Sequence, residues 1–300
     1  MHNDAGPGES NEVGGKAPNW SKERRRQFID FRLQWDGRLN RSDLIGYFDI
    51  SVQQASADIS DYVALHARNI AYDKSSKSYV ATPEFKAAYP TSGPKQYLAQ
   101  LLAVQQGAMP QQRSAIGFMP PVDTVPVPER AVDEATLKHL VHAIQGKLVV
   151  HVEYQSITRD EPTTRDISPH ALAHDGLRWH VRAFCHLRRR FDDIVVGRVL
   201  QARPGGPSSV HVADDLDWHR SVELVLAPHP DLTPAQRSGV EFDFRMARGR
   251  SRLTCKSAML YYTLRRLGLD STGQPLPYPK QVVLANLKDL ASELAILSRH

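Results

Sequence analysis

Basic side chains recur at every second position of the stretch DGLRWHVRAF, residues 175–184. Arg178, His180 and Arg182 alternate with apolar neighbours, and this period of two predicts a β-strand whose two faces differ. We expect Trp179 to be buried on the other face. Guanidinium groups bind phosphate and carboxylate oxygens through fixed pairs of N–H donors, so several on one face predict a groove for a polyanion. Further basic residues are predicted on flanking strands or loops of the same sheet: Arg165, His170 and Arg198.

The alternative is that carboxylates of the protein itself neutralise this basic ladder. The nearby acidic residues are Asp166, Asp175, Asp192 and Asp193. For Arg165 and Arg189 both interpretations stay open. For the ladder we favour an anionic ligand, because no acidic residues at matching alternate positions accompany it.

The 13 histidines raise the question of metal or general-base chemistry. His170 and His174 have the spacing of ligands on one helix face, but Pro169 and the strand-like flanks argue against a helix there. No GxSxG, HExxH, phosphate-loop or paired-carboxylate motif occurs. We therefore expect no catalytic residue, no metal site and no cofactor, while a nuclease that processes nucleic acid stays an alternative.

The composition is typical of a multidomain protein of a reducing compartment. Its 300 residues are 41% hydrophobic, and 38 Lys plus Arg stand against 33 Asp plus Glu, a net charge of +5. The length predicts two or three domains, and the mild positive charge permits a polyanionic partner. Two cysteines exclude a disulfide framework, and no apolar run approaches the ~18 residues of a membrane span. Residues 1–19 predict a flexible tail rather than a signal peptide, so we expect a cytoplasmic protein without a membrane partner.

Residues 20–82 predict three helices followed by a hairpin. The third helix begins at Ser51, which is a favourable N-cap residue. Its predicted inward stripe comprises Val52, Ala55 and Ile59. Two short strands then surround the turn at residues 73–78. This order of elements is that of a winged helix-turn-helix.

The third helix would present small polar side chains to the major groove of DNA. Its outward residues are Ser51, Gln53, Gln54 and Ser56. Glutamine pairs with adenine through two hydrogen bonds, and serine contacts bases or phosphates. Phosphate contacts are expected from Arg24, Arg25, Arg26, Arg38 and Arg41, and from Lys74 and Lys77 at the wing tip. Because ten basic residues face eight acidic ones over residues 20–82, a winged helix that docks on protein is the alternative.

Composition divides the rest of the chain into three ranges. Residues 83–146 predict a proline-punctuated connector with helical stretches, residues 147–205 a strand-rich domain ended by RPGGPSS, and residues 206–300 a mixed α/β domain. The fold class is therefore α+β with several domains. The apolar segment AMLYYTLRRLGL, residues 258–269, is a candidate for dimer contacts, although a helix buried within the chain would look the same.

Four segments of the strand-rich range resemble the WYL-domain transcriptional regulators: VEYQSIT, RDISPHAL, GLRWHVRAF and FDDIVVGRV. The name-giving Trp-Tyr-Leu reads Trp179-His180-Val181 here. The chain is most similar to the branch that controls bacterial anti-phage loci of the BREX and CBASS types. The segment GRLNRSDLIGYFDISVQQASADISDY resembles the winged helix of that branch, and LVLAPHPDLTPAQRSGVEFDFRM resembles its C-terminal extension.

The resemblance implies an Sm-like β-barrel WYL domain at residues 147–205, between an N-terminal winged helix-turn-helix and a C-terminal α/β dimerisation domain. It implies a pocket for nucleic acid or a nucleotide-like signal, formed by Tyr154, Ser156, Arg165, His170, Arg178, His180, Arg182 and Arg198. It also implies a homodimer, whose two-fold symmetry predicts an inverted-repeat operator in double-stranded DNA. We therefore expect a ligand-controlled repressor of a phage-defence operon, with ligand-induced release and activation both open. A nuclease or a non-regulatory nucleic-acid adaptor is the alternative.

Overall fold

The chain divides into two compact units, Met1–Pro126 and Val127–His300. The computed structural model describes residues 20–128, 130–270, 272–276 and 281–297. The flexible tail predicted for residues 1–19 lies outside the described residues. Among the helices that are described, none is long and apolar enough to cross a membrane.

The first unit combines helices with a small antiparallel sheet. In chain order its elements are α1 (Trp20–Asp36), β1 (Arg38–Leu39), α2 (Arg41–Phe48), α3 (Val52–Leu65), β2 (Ile70–Asp73), β3 (Ser78–Ala81) and α4 (Pro94–Gln105). The strands pair in the order β1-β3-β2. Three helices followed by a β2–β3 hairpin confirm the predicted winged-helix order.

Local signals in the sequence set the starts of α2 and α3. The Asp43 carboxylate accepts a hydrogen bond from the Asn40 backbone N–H at 2.7 Å, at the beginning of α2. At the beginning of α3, Ser51 Oγ accepts from the Gln54 backbone N–H at 3.1 Å. These bonds satisfy N–H groups that have no partner within the helix. Between the two helices Asp49 adopts the left-handed conformation, φ 53°, and this reverses the chain direction.

The core of the first unit lies between the three N-terminal helices and extends to residues beyond the hairpin. Its fully buried large side chains are Ile29, Leu33, Leu39, Leu44, Ile59 and Tyr62. Leu101 of α4 and the downstream Ala115 and Ile116 are buried in the same cluster. The range 83–146, predicted as a connector, is thus divided: its first part completes this core, and its last part belongs to the second unit.

The buried carboxylate of Asp30 on α1 connects α3 with residues 88–92, which follow the hairpin. It accepts hydrogen bonds from Tyr62 Oη at 2.6 Å, Ser92 Oγ at 2.7 Å and the Ala88 backbone N–H at 3.1 Å. Burial, together with Asp30, raises the pKa of Tyr62 far above its ordinary value. Because a buried carboxylate is stable only when it is hydrogen-bonded, Asp30 specifies how residues 88–92 pack on the helices.

The second unit begins with a helix packed on a five-stranded antiparallel sheet. Its elements are α5 (Glu134–Gly146), β4 (Leu148–Tyr154), β5 (Thr163–His174), β6 (Trp179–Cys185), β7 (Arg190–Val195) and β8 (Val199–Pro207). The strand order is β7-β6-β5-β4-β8, so β7 and β8 are the edges. Leu140 and Ala143 of α5 are buried against the apolar face of the sheet, which includes Val150, Val152 and Val181.

The start and the end of the last strand, β8, differ from those predicted from the sequence. The stretch DDIVVGRVLQA is interrupted by a 3-10 turn at Val196–Arg198, which separates β7 from β8. The strand β8 then continues to Pro207, through residues predicted to end the strand-rich domain. Gly205 permits this pairing, because a Cβ there would lie 2.9 Å from the Val149 backbone oxygen.

The rest of the second unit is a smaller sheet with helices. Its elements are α6 (Leu216–His219), β9 (Ser221–Pro228), α7 (Pro234–Asp243), β10 (Ser251–Lys256), α8 (Leu260–Arg266), β11 (Val282–Leu284) and α9 (Ala291–Leu297). The strands pair in the order β10-β9-β11. Leu260, Leu264 and Leu269 are fully buried in the core of this sheet. The segment 258–269, considered above for dimer contacts, therefore contributes its leucines to the interior of its own chain.

Candidate nucleic-acid interface and ligand groove

The first turn of α3 lies at the surface of the first unit. The inward residues of the helix are Ala55, Asp58, Ile59 and Tyr62. Val52 was predicted among them, but it is 53% exposed because it precedes the first buried turn. Ser51, Gln53 and Gln54 are exposed beside it. The Gln53 amide has no hydrogen bond to any described residue, so its donors and acceptor are available to a ligand.

Gln54 is held in place by hydrogen bonds that start on α1. Gln54 Nε2 donates to Asp58 Oδ1 at 3.0 Å. The same carboxylate accepts from Arg25 Nε at 2.5 Å and Nη2 at 3.2 Å. Arg25 and Asp58 are both buried, so the prediction that Arg25 contacts phosphate is wrong. Since a two-point pair of this kind fixes orientation, α1 sets the direction of Gln54 on α3.

Arg41 and Ser56 lie close together at the surface. Arg41 Nη1 is 3.3 Å from Ser56 Oγ, and the serine hydroxyl donates to the Val52 carbonyl oxygen at 2.9 Å. The Arg41 side chain stays exposed at the start of α2. It is therefore placed beside the polar turn of α3, with N–H donors left for a phosphate.

The tip of the β2–β3 hairpin is tight and basic. Asp73 accepts hydrogen bonds from the backbone N–H groups of Ser75 and Ser76, at 2.9 and 3.3 Å. Lys77 adopts φ 50°, which turns the chain into β3, and both Lys74 and Lys77 are exposed. Their positions fit contacts with a DNA backbone, and their role in binding stays a prediction.

The other arginines predicted to contact phosphates differ in their surroundings. Arg24 and Arg38 are exposed. Arg26 is partly buried, and its Nη2 lies 3.8 Å from Asp61 Oδ2 on α3. Arg24 and Arg38 thus keep the accessibility that a phosphate contact requires, whereas Arg26 is directed towards a carboxylate of its own unit.

In the second unit, Arg182 of the basic ladder is buried between two carboxylates. Its Nε and Nη2 lie 2.7 and 2.8 Å from the two oxygens of Asp215, and Nη1 lies 3.2 Å from Asp193 Oδ1. Asp193 is the cross-strand neighbour of Arg182 on β7, and Asp215 precedes α6. The alternative that carboxylates of the protein neutralise the ladder therefore holds for Arg182, with Asp215 as a partner that was not among the acidic residues considered. Burial opposes ionisation of Asp215, but Arg182 more than offsets it and holds the pKa of Asp215 below its ordinary value.

His180 and Arg178 share a third carboxylate. Asp175 Oδ2 is 3.0 Å from His180 Nε2 and 3.2 Å from Arg178 Nε. Burial acts to raise the pKa of Asp175, but the hydrogen bonds from His180 and from two backbone N–H groups keep it well below its ordinary value. His180 is buried, whereas Arg178 is partly exposed. Only Arg178 of the three ladder residues therefore reaches the surface.

His170 joins the same internal network from β5. Its Nε2 is 2.9 Å from Asp215 Oδ2, and its ring packs edge-on against Phe191 and Trp218. Burial lowers the pKa of His170, and the neighbouring Asp215 offsets only part of that effect. His170 therefore connects the larger sheet to α6 rather than to an open groove.

The remaining predicted pocket residues lie near the end of β4. Arg165 is buried with its guanidinium 4.8 Å from the centre of the Tyr154 ring, and it forms no ion pair with any described residue. Its side chain donates to Thr163 Oγ1. Ser156 follows β4 in a turn, where its hydroxyl is 2.9 Å from Thr158 Oγ1. The eight predicted residues thus do not line one common cavity, and their role in ligand binding stays a prediction.

A groove of about 420 Å³ gathers several basic side chains, and of these Arg178 is paired with Asp175 at 3.2 Å. We call it the basic groove and define it by five of its lining residues: Arg130, His174, Arg178, Trp179 and Arg198. No carboxylate of the described residues lines it. The guanidinium of Arg198 has no hydrogen bond or ion pair within the described part of the chain. Two of the eight predicted residues, Arg178 and Arg198, belong to it.

An exposed aromatic platform lies in the basic groove. Trp179 was predicted to be buried, but it is 51% exposed. It is the cross-strand neighbour of His174, and the ring centres are 4.8 Å apart. Gly197 lets the segment before α5 approach, since a Cβ there would lie 2.6 Å from the Ala131 carbonyl oxygen. That approach brings Arg130 beside the strands, which no periodic pattern in the sequence indicated.

Three parts of the chain, which together make up most of it, match known domain families. Residues 21–103 match the winged helix-turn-helix domain of the BrxR transcriptional regulators, and residues 135–204 match the WYL domain. Residues 221–290 match the C-terminal dimerization domain of the BrxR regulators. The two sheets of the second unit therefore correspond to two different domain families.

Several whole proteins are similar over nearly their entire length. The chain is 41% identical over 284 residues to a DNA-binding transcriptional repressor CapW of Stenotrophomonas maltophilia. This alignment covers 92% of this chain and 93% of that protein. The chain is 38% identical to CapW of Escherichia coli strain KTE188, over 95% of this chain and 96% of that protein. It is 41% identical to CapW of Pseudomonas aeruginosa, over 92% and 94%. Among solved structures, PafBC of Arthrobacter aurescens aligns with 98% of this chain and 51% of its own, at a TM-score of 0.26 and 14% identity. The chain thus spans about half the length of that PafBC chain.

Proposed function

The chain belongs to the family of the CapW DNA-binding transcriptional repressors, and from that membership we propose that it is a homodimeric repressor of a phage-defence operon. Its winged helix binds double-stranded operator DNA. The protein acts in the cytoplasm, where its operator lies. It is a regulator and not an enzyme.

The observation that carries the DNA-binding proposal is the exposed polar turn at the start of α3. Gln53 is exposed and has no side-chain hydrogen bond to a described residue, and Gln54 is oriented by the buried Asp58. Both can offer a donor and an acceptor to a base edge in the major groove. Arg41 beside this turn and the two lysines of the hairpin, Lys74 and Lys77, contact the phosphates and fix the register.

The dimer gives the operator its symmetry. Two copies related by a two-fold axis present two α3 helices, so the operator is an inverted repeat. The dimerisation domain at residues 221–290 supports this state.

A DNase footprint of the region upstream of its own gene tests this function. We expect protection of one palindrome, which is lost as the salt concentration rises because phosphate contacts release counterions. Protection without sequence preference would instead support a non-regulatory nucleic-acid adaptor.

The ligand of the WYL domain is a nucleic acid or a nucleotide-like anion that binds in the basic groove. Arg130, Arg178 and Arg198 supply donors for phosphate oxygens. The exposed face of Trp179 offers a base a surface for stacking, which contributes about 1–3 kcal/mol. Arg182 and His180 do not bind the ligand, because those two side chains are buried against carboxylates.

Ligand binding relieves repression by favouring a second arrangement of the dimer. A change from 1:99 to 99:1 requires about a 10⁴-fold preference, or about 5.5 kcal/mol. Three charge-assisted contacts at about 1.5–3 kcal/mol each reach that value when they form in only one of the two arrangements.

A titration with a short single-stranded oligonucleotide, and separately with inorganic phosphate, tests the ligand site. We expect the oligonucleotide to quench Trp179 fluorescence and to release the operator, and we expect Arg198→Ala to weaken both effects about tenfold while operator affinity stays unchanged. The matched control is Arg203→Ala, an exposed arginine of β8 outside the groove. Equal responses of the two variants would contradict the basic groove as the ligand site.

A further inference from the structure

The dimerisation domain needs a surface that a second copy can cover. The apolar segment 258–269 supplies little of it, because Leu260, Leu264 and Leu269 are buried in their own core. Within residues 221–290 the described large apolar side chains that stay exposed are Phe242, Leu253 and Tyr261. Phe242 is 88% exposed, about twice as much as either of the others. Because this domain matches a dimerisation domain, a phenylalanine left almost wholly in water on it is a candidate for the contact with a second copy.

Phe242 lies on a helix that uses only one side to contact its own chain. The ten-residue helix α7 has no fully buried residue. Val240 and, just after its end, Phe244 pack against the domain core. The residues at positions i, i+3, i+4 and i+7 of the other side are all exposed: Ala235, Ser238, Gly239 and Phe242. They share one face of the helix, because this spacing repeats every turn.

We propose that this face of α7 packs antiparallel against the same face of α7 in a second copy of the chain. The proposal rests on the homodimer proposed above and specifies its contact surface. Phe242 of each copy would then contact the first turn of the other α7. Because the domain that carries this face matches a dimerisation domain over residues 221–290, a second copy is the occupant that the face fits.

Gly239 is consistent with a close helix contact. A glycine within a helix costs about 1 kcal/mol relative to alanine, so its presence there requires a reason. A Cβ at Gly239 would meet no atom within 4 Å, so the fold of the single chain does not explain the residue. Two antiparallel helices that cross near Ser238 and Gly239 would approach closely there, since neither residue carries a long side chain.

Charge supports the antiparallel direction. Asp243 at the end of α7 is exposed and forms no ion pair with a described residue. In an antiparallel pair it would lie beside the first turn of the partner helix, where the backbone N–H groups carry a partial positive charge. A parallel pair would instead place the two Asp243 carboxylates next to each other.

Sedimentation equilibrium of the full chain and of Phe242→Asp tests the surface. We expect the native protein to be a dimer, and we expect Phe242→Asp to raise the dimer dissociation constant at least about 30-fold, as for an interface hot spot. Circular dichroism should be unchanged, because Phe242 does not contribute to the core. A native protein that is a monomer would overturn the proposed homodimer itself.

Cysteine cross-linking gives a second test that does not depend on the stability of Phe242→Asp. In a Cys255→Ser background, Ser238→Cys lies near the two-fold axis and should form a disulfide with its own copy under mild oxidation. The matched control is Arg237→Cys, which is also exposed but lies on the other side of α7, and it should remain uncross-linked. A dimeric protein in which Ser238→Cys does not cross-link, or in which both variants cross-link equally, would show that α7 is not the interface while the homodimer stands.

Discussion

Arg182 and Asp215 form a buried two-point ion pair, with Nε–Oδ2 at 2.7 Å and Nη2–Oδ1 at 2.8 Å. Arg182 lies in the middle of β6 in the WYL sheet, and Asp215 is the N-cap residue of α6, where it also accepts from the Trp218 backbone N–H at 3.3 Å. The pair therefore links the sheet of the WYL domain to the first element that leads into the dimerisation domain.

The first prediction concerns the stability of this link. Arg182→Ala should lower the free energy of unfolding by about 3–5 kcal/mol, because it leaves the Asp215 and Asp193 carboxylates buried without their partner. Arg182→Lys should lower the free energy of unfolding by an intermediate amount, since an ammonium group cannot form the two-point contact. Urea unfolding followed by circular dichroism measures both.

The matched control is Arg190→Ala, which removes an arginine of β7 that pairs with Asp192 and whose own side chain is half exposed. Arg190→Ala should lower the free energy of unfolding by less than about 1 kcal/mol. If Arg182→Ala were as stable as the control and had lost its response to the oligonucleotide, Arg182 would be a ligand-binding residue after all.

The second prediction separates base reading from phosphate contact. Gln53→Ala should reduce the discrimination between operator and mutated operator by about 1–3 kcal/mol, since the amide of Gln53 is available to a base. Lys77→Asn should weaken binding to every DNA and reduce the salt slope by about one, because one phosphate contact is lost. Asparagine is chosen because it tolerates the left-handed backbone at position 77.

Competition binding at several salt concentrations provides the measurement. Gln105→Ala, an exposed glutamine at the end of α4, is the control and should bind all sequences as the native chain does. A Gln53→Ala variant that keeps full discrimination would remove Gln53 from the base-reading residues.

The third prediction concerns the buried pair behind Gln54. Asp58→Asn should destabilise the winged helix by about 3–5 kcal/mol, because the buried Arg25 loses its carboxylate. Gln54→Ala should change stability by less than about 1 kcal/mol and yet relax operator choice, since its side chain is exposed. Urea unfolding and operator competition distinguish the two effects. Unchanged discrimination in Gln54→Ala would limit Gln54 to a structural role.

The fourth prediction is a loss of stability in acid. Burial lowers the pKa of His170, so the unfolded chain takes up a proton more readily, and the contribution of His170 is lost as the pH falls below about 6.5. Asp175 and Asp215 have lowered pKa values as well, so their contributions are lost below about pH 4. Burial raises the pKa of Asp193, and this group acts in the opposite direction.

Thermal unfolding between pH 8 and pH 5 tests the contribution of His170. The native Tm should fall over this range, and the fall should be smaller in His170→Gln, which keeps a donor for Asp215 but does not titrate. An equal fall in both proteins would assign the pH dependence to other groups.

Most elements could be predicted from short stretches of sequence. Ser51 caps α3 as expected, and the period of two in residues 148–154 and 179–185 marks β4 and β6. These features depend on residues within a few positions of each other, so their signals are local. Val52 was misplaced because a helical stripe does not indicate where the buried part of the stripe begins.

The surroundings of the basic residues could not be predicted in the same way. Arg182 pairs with a carboxylate 33 positions later, on a different element, and Arg130 reaches the basic groove only because Gly197 permits a close approach. Trp179 is exposed although its alternation favoured burial, because it lies at the first position of β6. The ion pair of Arg182 depends on a distant part of the chain and the exposure of Trp179 on its position at the start of β6, so the alternation of residues along one strand does not indicate them.

The amino-acid sequence by itself determined the order of elements in the winged helix, its polar third helix, and the resemblance to WYL-domain regulators. Only the tertiary structure decided which cations are neutralised within the protein and which remain for a ligand. The physical reason is that a charge is neutralised by whatever lies within a few ångströms of it, and that distance is set by the packing of β6, β7 and α6 rather than by separation along the chain.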